Sequence, residues 1–162
     1  MARLIPNENT WVGFATALTL AAPEEGEIAA AVDLTPFLIS LNAATTGNAL
    51  PTPAFDALFE TSVPGTVTAQ FTADFYRDDA TGGDDAWDTL PRATKGYFII
   101  SRFGGTGAGN LPETGDEIEV WPVTVTSRSM HNAASNQVLA FTVTCSVPVE
   151  PVEAIDVVAD TP

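Results

Sequence analysis

Basic residues are scarce in this chain: 6 Lys and Arg stand against 21 Asp and Glu in 162 residues, for a formal net charge of −15. Because Lys and Arg are what neutralise phosphates, this balance excludes tight binding to a nucleic-acid backbone. Cysteine is scarcer still. Cys145 has no second cysteine to pair with, and it stands at an apolar-facing position of an alternating strand. Its sequence neighbours offer no His or basic group to activate a thiolate, so it reads as a small core residue. His131 is likewise alone, between Met130 and Asn132, and lacks the second ligand or partner that a zinc site or a catalytic triad requires. Long apolar runs are missing too. No stretch approaches the roughly 18 residues of a membrane span. Residues 1–10 lack the apolar segment of a signal peptide, and Glu24, Glu25 and Glu27 interrupt the apolar stretch that follows, so the expectation is a soluble chain made without an export signal.

Sites for chemistry are thin on the ground. Residues 104–109 are glycine-rich, but Asn110 stands where a dinucleotide loop needs its third Gly, and no Lys-Ser/Thr pair follows. Asp78, Asp79, Asp84, Asp85 and Asp88 do not fit a calcium loop, because Ala80 and Gly82 occupy ligand positions. Capping and a solvated face explain them better. Nothing singles out one pair of acids as a catalytic dyad. The expectation is no catalytic residue, no cofactor and no metal.

What is abundant is Thr, Val and Ala, with 12 Gly and 12 Pro, a balance favouring strands and turns. At this length the default is one domain, residues 1–162. Val67, Ala69, Phe71, Ala73 and Phe75 alternate with Thr68, Gln70, Thr72, Asp74 and Tyr76, the pattern of a half-buried strand. Residues 11–20 and 96–103 also read as strands, the latter apolar on both faces and hence central. Over residues 116–128 the apolar set shifts from Ile118 and Val120 to Trp121, Val123 and Val125. Beside Pro122 this predicts a bulge or bend where the strand crosses between sheets. Leu139, Phe141, Val143, Cys145 and Val147 alternate again, so residues 117–147 predict a broad hairpin with a Ser/Asn-rich tip. Residues 148–162 follow as an extended arm, matched by an irregular arm over 1–10.

Pro36 opposes a helix across residues 27–41, which are predicted extended around 34–41. Asp84 is placed to cap a short helix that Pro91 ends. Residues 42–65 carry Pro51, Pro53 and Pro64 and predict a long loop. Phe55, Leu58 and Phe59 within it argue that the loop docks on a surface, such as that of a neighbouring subunit.

Several segments together resemble the major tail tube proteins of long non-contractile-tailed bacteriophages. Residues 10–18 (TWVGFATAL), 34–38 (LTPFL), 63–66 (VPGT) and 75–79 (FYRDD) are similar to the front half of that family. Residues 87–90 (WDTL), 96–100 (GYFII), 115–124 (GDEIEVWPVT) and 136–159 are similar to the back half. The resemblance implies a mainly β fold of two packed antiparallel sheets, a sandwich or barrel, with one short helix. It implies a structural subunit of the virion tail, without enzymatic activity, that assembles in the host cytoplasm into stacked hexameric rings. The hollow tube would enclose the tape measure protein and later pass DNA without specific binding. Other implied partners are the tail terminator and distal tail proteins, with no membrane involved. An acidic lumen would then explain the charge by keeping DNA from sticking. Residues 42–65 correspond to the loop that reaches the next ring, and the arms bridge neighbours. The implied subunit contacts are Phe55, Leu58 and Phe59 in the loop, Leu4 and Ile5 in the first arm, and Val152, Ile155 and Val157 in the last. Two other readings remain open, a capsid decoration or other minor virion protein, and a β-sandwich adhesion or binding module.

Overall fold

Where apolar residues recur at every second position, the chain forms strands that turn one row of side chains inward. The computed structural model describes residues 9–52, 61–78, 83–131 and 135–161. Within them lie the strands β1 (Trp11–Ala15), β2 (Val32–Asp33), β3 (Leu38–Thr52), β4 (Thr61–Tyr76), β5 (Lys95–Ser101), β6 (Glu117–Met130), β7 (Ala140–Ser146) and β8 (Val152–Asp156). Between them lie two five-residue α-helices, α1 (Glu25–Ala29) and α2 (Asp85–Thr89), and short 3-10 turns at Thr35–Phe37 and Ala108–Asn110. The strands share one antiparallel sheet in the order β2-β1-β5-β6-β7-β4-β3, and β8 pairs with β6.

The two layers of this mainly β fold are therefore halves of one hydrogen-bonded sheet. Phe71 of β4 stacks on Phe98 of β5 with ring centroids 4.4 Å apart. Three ladder steps separate those strands, about 14 Å in a flat sheet. The sheet must double back, and the space enclosed is the main core. Val12, Phe14, Phe71, Phe75, Phe98, Trp121, Phe141 and Val143 fill it.

A second core lies on the other side of β1, β5 and β6. There Trp11, Ile99, Ile118 and Val120 pack with Ile28 of α1 and with Val157. Covered on both faces, these strands read as nearly continuous apolar runs. This explains the apparent phase shift in β6. Even-numbered Ile118 and Val120 serve the second core, odd-numbered Trp121, Val123 and Val125 the first, so alternation is never broken. The bulge expected at Pro122 is not there: β5 and β6 stay in register through Tyr97↔Pro122. Along its other edge β6 exchanges β8, last paired at Val120, for β7, first paired at Thr124. Pro122, lacking an N–H, falls in the gap. Irregularities lie to either side of it: against β8, Ile118↔Ile155 is followed by Val120↔Val152, and against β7, Val125↔Cys145 is followed by Ser127↔Thr144, leaving Thr126 as an extra residue.

Three other expectations are corrected. Residues 42–65 are largely strand, since β3 and β4 are paired from Leu38↔Phe75 out to Thr52↔Thr61. Residues 25–29 form α1, where a loop had been expected up to residue 26 and no helix beyond it, with reciprocal capping between Glu24 and Glu27. Residues 148–161 are not a free arm. β8 adds to β6, and beyond it the Val157 N–H donates to the Asp116 carbonyl at 3.0 Å while the Glu25 N–H donates to that of Val158 at 3.1 Å.

Candidate assembly surfaces

The outer face of the β3-β4-β7 layer is built of short polar side chains. On β4 these are Thr68, Gln70, Thr72, Asp74 and Tyr76, flanked in register by Ser40, Asn42 and Thr46 of β3 and by Thr142, Thr144 and Ser146 of β7. Ser127 and Ser129 of β6 continue it beside Thr144 and Thr142. One carboxylate, Asp74, stands among them and no Lys or Arg. The Ser40 and Thr142 hydroxyls donate to it, and His131 Nε2 lies 2.7 Å from Thr142 Oγ1 and 3.6 Å from Asp74 Oδ1. The Ser40 hydrogen bond, then that of Thr142, holds the Asp74 carboxyl below its ordinary value despite partial burial.

Among the described residues both flanks of this layer are open. β3 ends the sheet. On the other flank, β5 is last paired with β6 at Thr124, so residues 127–130 have β7 on one side and no described strand on the other. From Thr45 outward β3 is exposed on both faces, and its strand partner there is β4. An isolated two-stranded ribbon is marginally stable in water.

At the end of the layer Trp87 of α2 gathers two of the six cations. The guanidinium carbons of Arg77 and Arg128 lie 4.0 Å and 3.4 Å from its ring centroid. Asp84 occupies the helix N-cap position as expected, yet its side chain makes no cap; it is buried and ion-pairs with Arg77. Elsewhere Arg102 ion-pairs with Glu119, whose other oxygen accepts from Trp121 Nε1 at 3.3 Å. Burial raises the Asp116 carboxyl, but the Glu113 and Thr106 N–H groups and the Thr106 hydroxyl outweigh it, and its acidity is increased.

Among the described residues no three His, Cys, Asp or Glu converge as a metal site, and no helix is long and apolar enough to cross a membrane. Burial pushes the Cys145 thiol up to about 12, as its core position implied. Of the residues expected at subunit contacts, Leu4, Ile5, Phe55, Leu58 and Phe59 lie outside the described residues. Val157 is buried in the second core of its own subunit, Ile155 packs against that core, and Val152 is half-buried on β8. The open strand edges went unseen in the sequence, since only the pairing partners reveal which edges remain.

The described residues thus form a doubled antiparallel sheet with unpaired edges. The phage tail tube protein family matches residues 1–160, and the chain belongs to that family. It is thus a structural component of a phage tail, not an enzyme. No curated protein matches. Among solved structures, a chain from the virion of a native gene transfer agent particle is similar at TM-score 0.56 and 10% identity, over 94% of this chain and 99% of that one. A chain of the anti-feeding prophage baseplate gives TM-score 0.56 and 11% identity, over 97% and 99%. A chain from the tail of an empty gene transfer agent particle, refined with C6 symmetry, gives 0.53 and 11%, over 87% and 92%.

Proposed function

We propose that the chain polymerises into stacked, hexameric rings forming the hollow tube of a long non-contractile tail, through which DNA passes during ejection. The observation that carries this reading is the polar layer with two open flanks. An edge of β3 on one copy and the end of β6 on the next are different surfaces, so the contact is heterologous and closes into a ring when its rotation allows. Sixfold closure is the symmetry named for the similar gene transfer agent tail. In such a ring the polar layer faces the channel. Its hydroxyls and amides offer DNA no cation to grip, and with Asp74 as its one acid the wall is close to neutral where an acidic lumen was expected.

Ring-to-ring contacts fall to the β3–β4 hairpin with Phe55, Leu58 and Phe59, to Leu4 and Ile5, and to the half-buried Val152 and Ile155 of β8. Val157 supports them from within its own core. The tape measure protein fills the channel before ejection, and tail terminator and distal tail proteins occupy the tube ends after assembly in the host cytoplasm. Obligate assemblies of this kind bury more than about 2,000 Å² per contact. Negative-stain electron microscopy of the purified protein tests the proposal: rings or hollow tubes of uniform diameter are expected, and a monomer at all concentrations and salt levels contradicts it.

A further inference from the structure

We infer that the hollow beside Trp87 is a binding site for a small tetrahedral oxyanion, phosphate or sulfate, held by the guanidiniums of Arg92 and Arg128. The site lies within one subunit and does not depend on the tube reading above. Trp87, Arg92, Thr126, Ser127 and Arg128 line the hollow, which measures about 500 Å³ and has room for such an ion with some of its water. With Arg77 on the same Trp87 ring, three of the six cations of a chain of net charge −15 gather here. They are not matched alike. Arg77 has Asp84 as its ion-pair partner, whereas among the described residues no carboxylate comes within ion-pair distance of Arg92 or of Arg128.

Arg128 is half-buried, donates one N–H to the Trp87 carbonyl and stacks on that residue's ring. Burial, then the charge of Arg77, pulls its guanidinium below the ordinary value, and Asp88 and Asp84 oppose this from beyond ion-pair distance. A cation that has lost part of its water without gaining a partner ion is stabilised when an anion from solution supplies one. Arg92 is exposed, but the turn that carries it is fixed to β6. The Ala93 N–H donates to the Val125 carbonyl at 2.8 Å, and the Val125 N–H donates to that of Thr94 at 2.9 Å. Both guanidiniums are thus presented from anchored backbone, and a guanidinium fork matches two oxygens of a phosphate or sulfate at a time. A long polyanion such as DNA instead meets the repulsion of the whole subunit, so the ligand is a small ion.

The test is thermal unfolding of the purified chain, dilute enough to be monomeric, with phosphate replacing chloride at constant ionic strength. A rise in melting temperature that saturates is expected, and at ten times the dissociation constant the unfolding equilibrium constant should fall about elevenfold. Arg92→Gln changes an exposed side chain and so keeps the fold, and it should remove the saturating part of the rise. Phosphate also stabilises proteins in general through its exclusion from their surface. A rise that does not saturate and is equal in the parent and in Arg92→Gln therefore overturns the site, as does no rise at all. Acetate stabilising the parent as strongly as phosphate overturns the preference for a tetrahedral ion. A short single-stranded oligonucleotide that binds with the same dependence on Arg92 overturns the restriction to a small one.

Discussion

Trp87 illustrates how much a single side chain organises at the end of the sheet. It lies between Arg77 and Arg128, meets Phe141 edge-on at a centroid distance of 5.0 Å, and accepts from Arg128 through its own carbonyl. Trp87→Ala removes an aromatic anchor and leaves two guanidiniums without their platform, so it should cost about 3 kcal/mol in urea unfolding. A loss below about 1 kcal/mol would show the cluster to be incidental. Asp74 makes a pH prediction. Its folded-state pKa is lowered, first by Ser40 and then by Thr142, so the unfolded chain takes up its proton first as pH falls. The resulting stability is present above the ordinary carboxylate value and is lost as pH drops through the lower folded value. Asp74→Asn should flatten the acid limb of a melting-temperature profile below about pH 4 while leaving the neutral region little changed; an identical acid limb would contradict this. Asp84 shows the limit of reading such residues in sequence. Its place before a helix was legible, but its bond to Arg77 depends on β4 delivering that cation, which no local pattern announces.

Among the elements, the C-terminal segment separates two accounts most sharply. If residues 148–162 were only an assembly arm, removing them would leave the monomer unchanged. β8 and Val157 instead complete the second core beside Ile118 and Ile28, so truncation after Val147 should lower the melting temperature of the monomer, and Val157→Ala alone should cost roughly 1–2 kcal/mol. A truncated monomer as stable as the parent would restore the arm. Strands β4, β5, β6 and β7 were legible because each buries at least one continuous face, which imposes a period of two. β3 was not legible, because beyond Thr45 both its faces are exposed and no hydrophobic period is imposed on it; its Pro and Gly then imitate a loop. α1 was hidden by its length of five residues, although Glu24 and Glu27 at capping-box spacing were a signal that could have found it. The tail imitated an arm because Pro148 and Pro151 precede it and only one of its valines, Val157, is fully buried.

At the scale of the whole molecule, a net charge of −15 would set the subunits of the proposed tube against one another while apolar and strand-edge contacts draw them together. Screening shifts the balance: the Debye length falls from about 30 Å at 0.01 M salt to about 10 Å at 0.1 M. Polymerisation followed by light scattering should therefore be slow at low ionic strength and faster in moderate salt, and the reverse order would contradict the account. Family membership fixes what kind of protein this is, and the open-flanked polar layer is the basis of the proposed assembly. The most direct measurement is a cryo-electron microscopy reconstruction of tubes grown from the purified chain. The account predicts sixfold rings with Thr72, Asp74 and Thr142 facing the channel and the β3 edge joined to the neighbouring copy. A tube with that polar layer on its outside would contradict it.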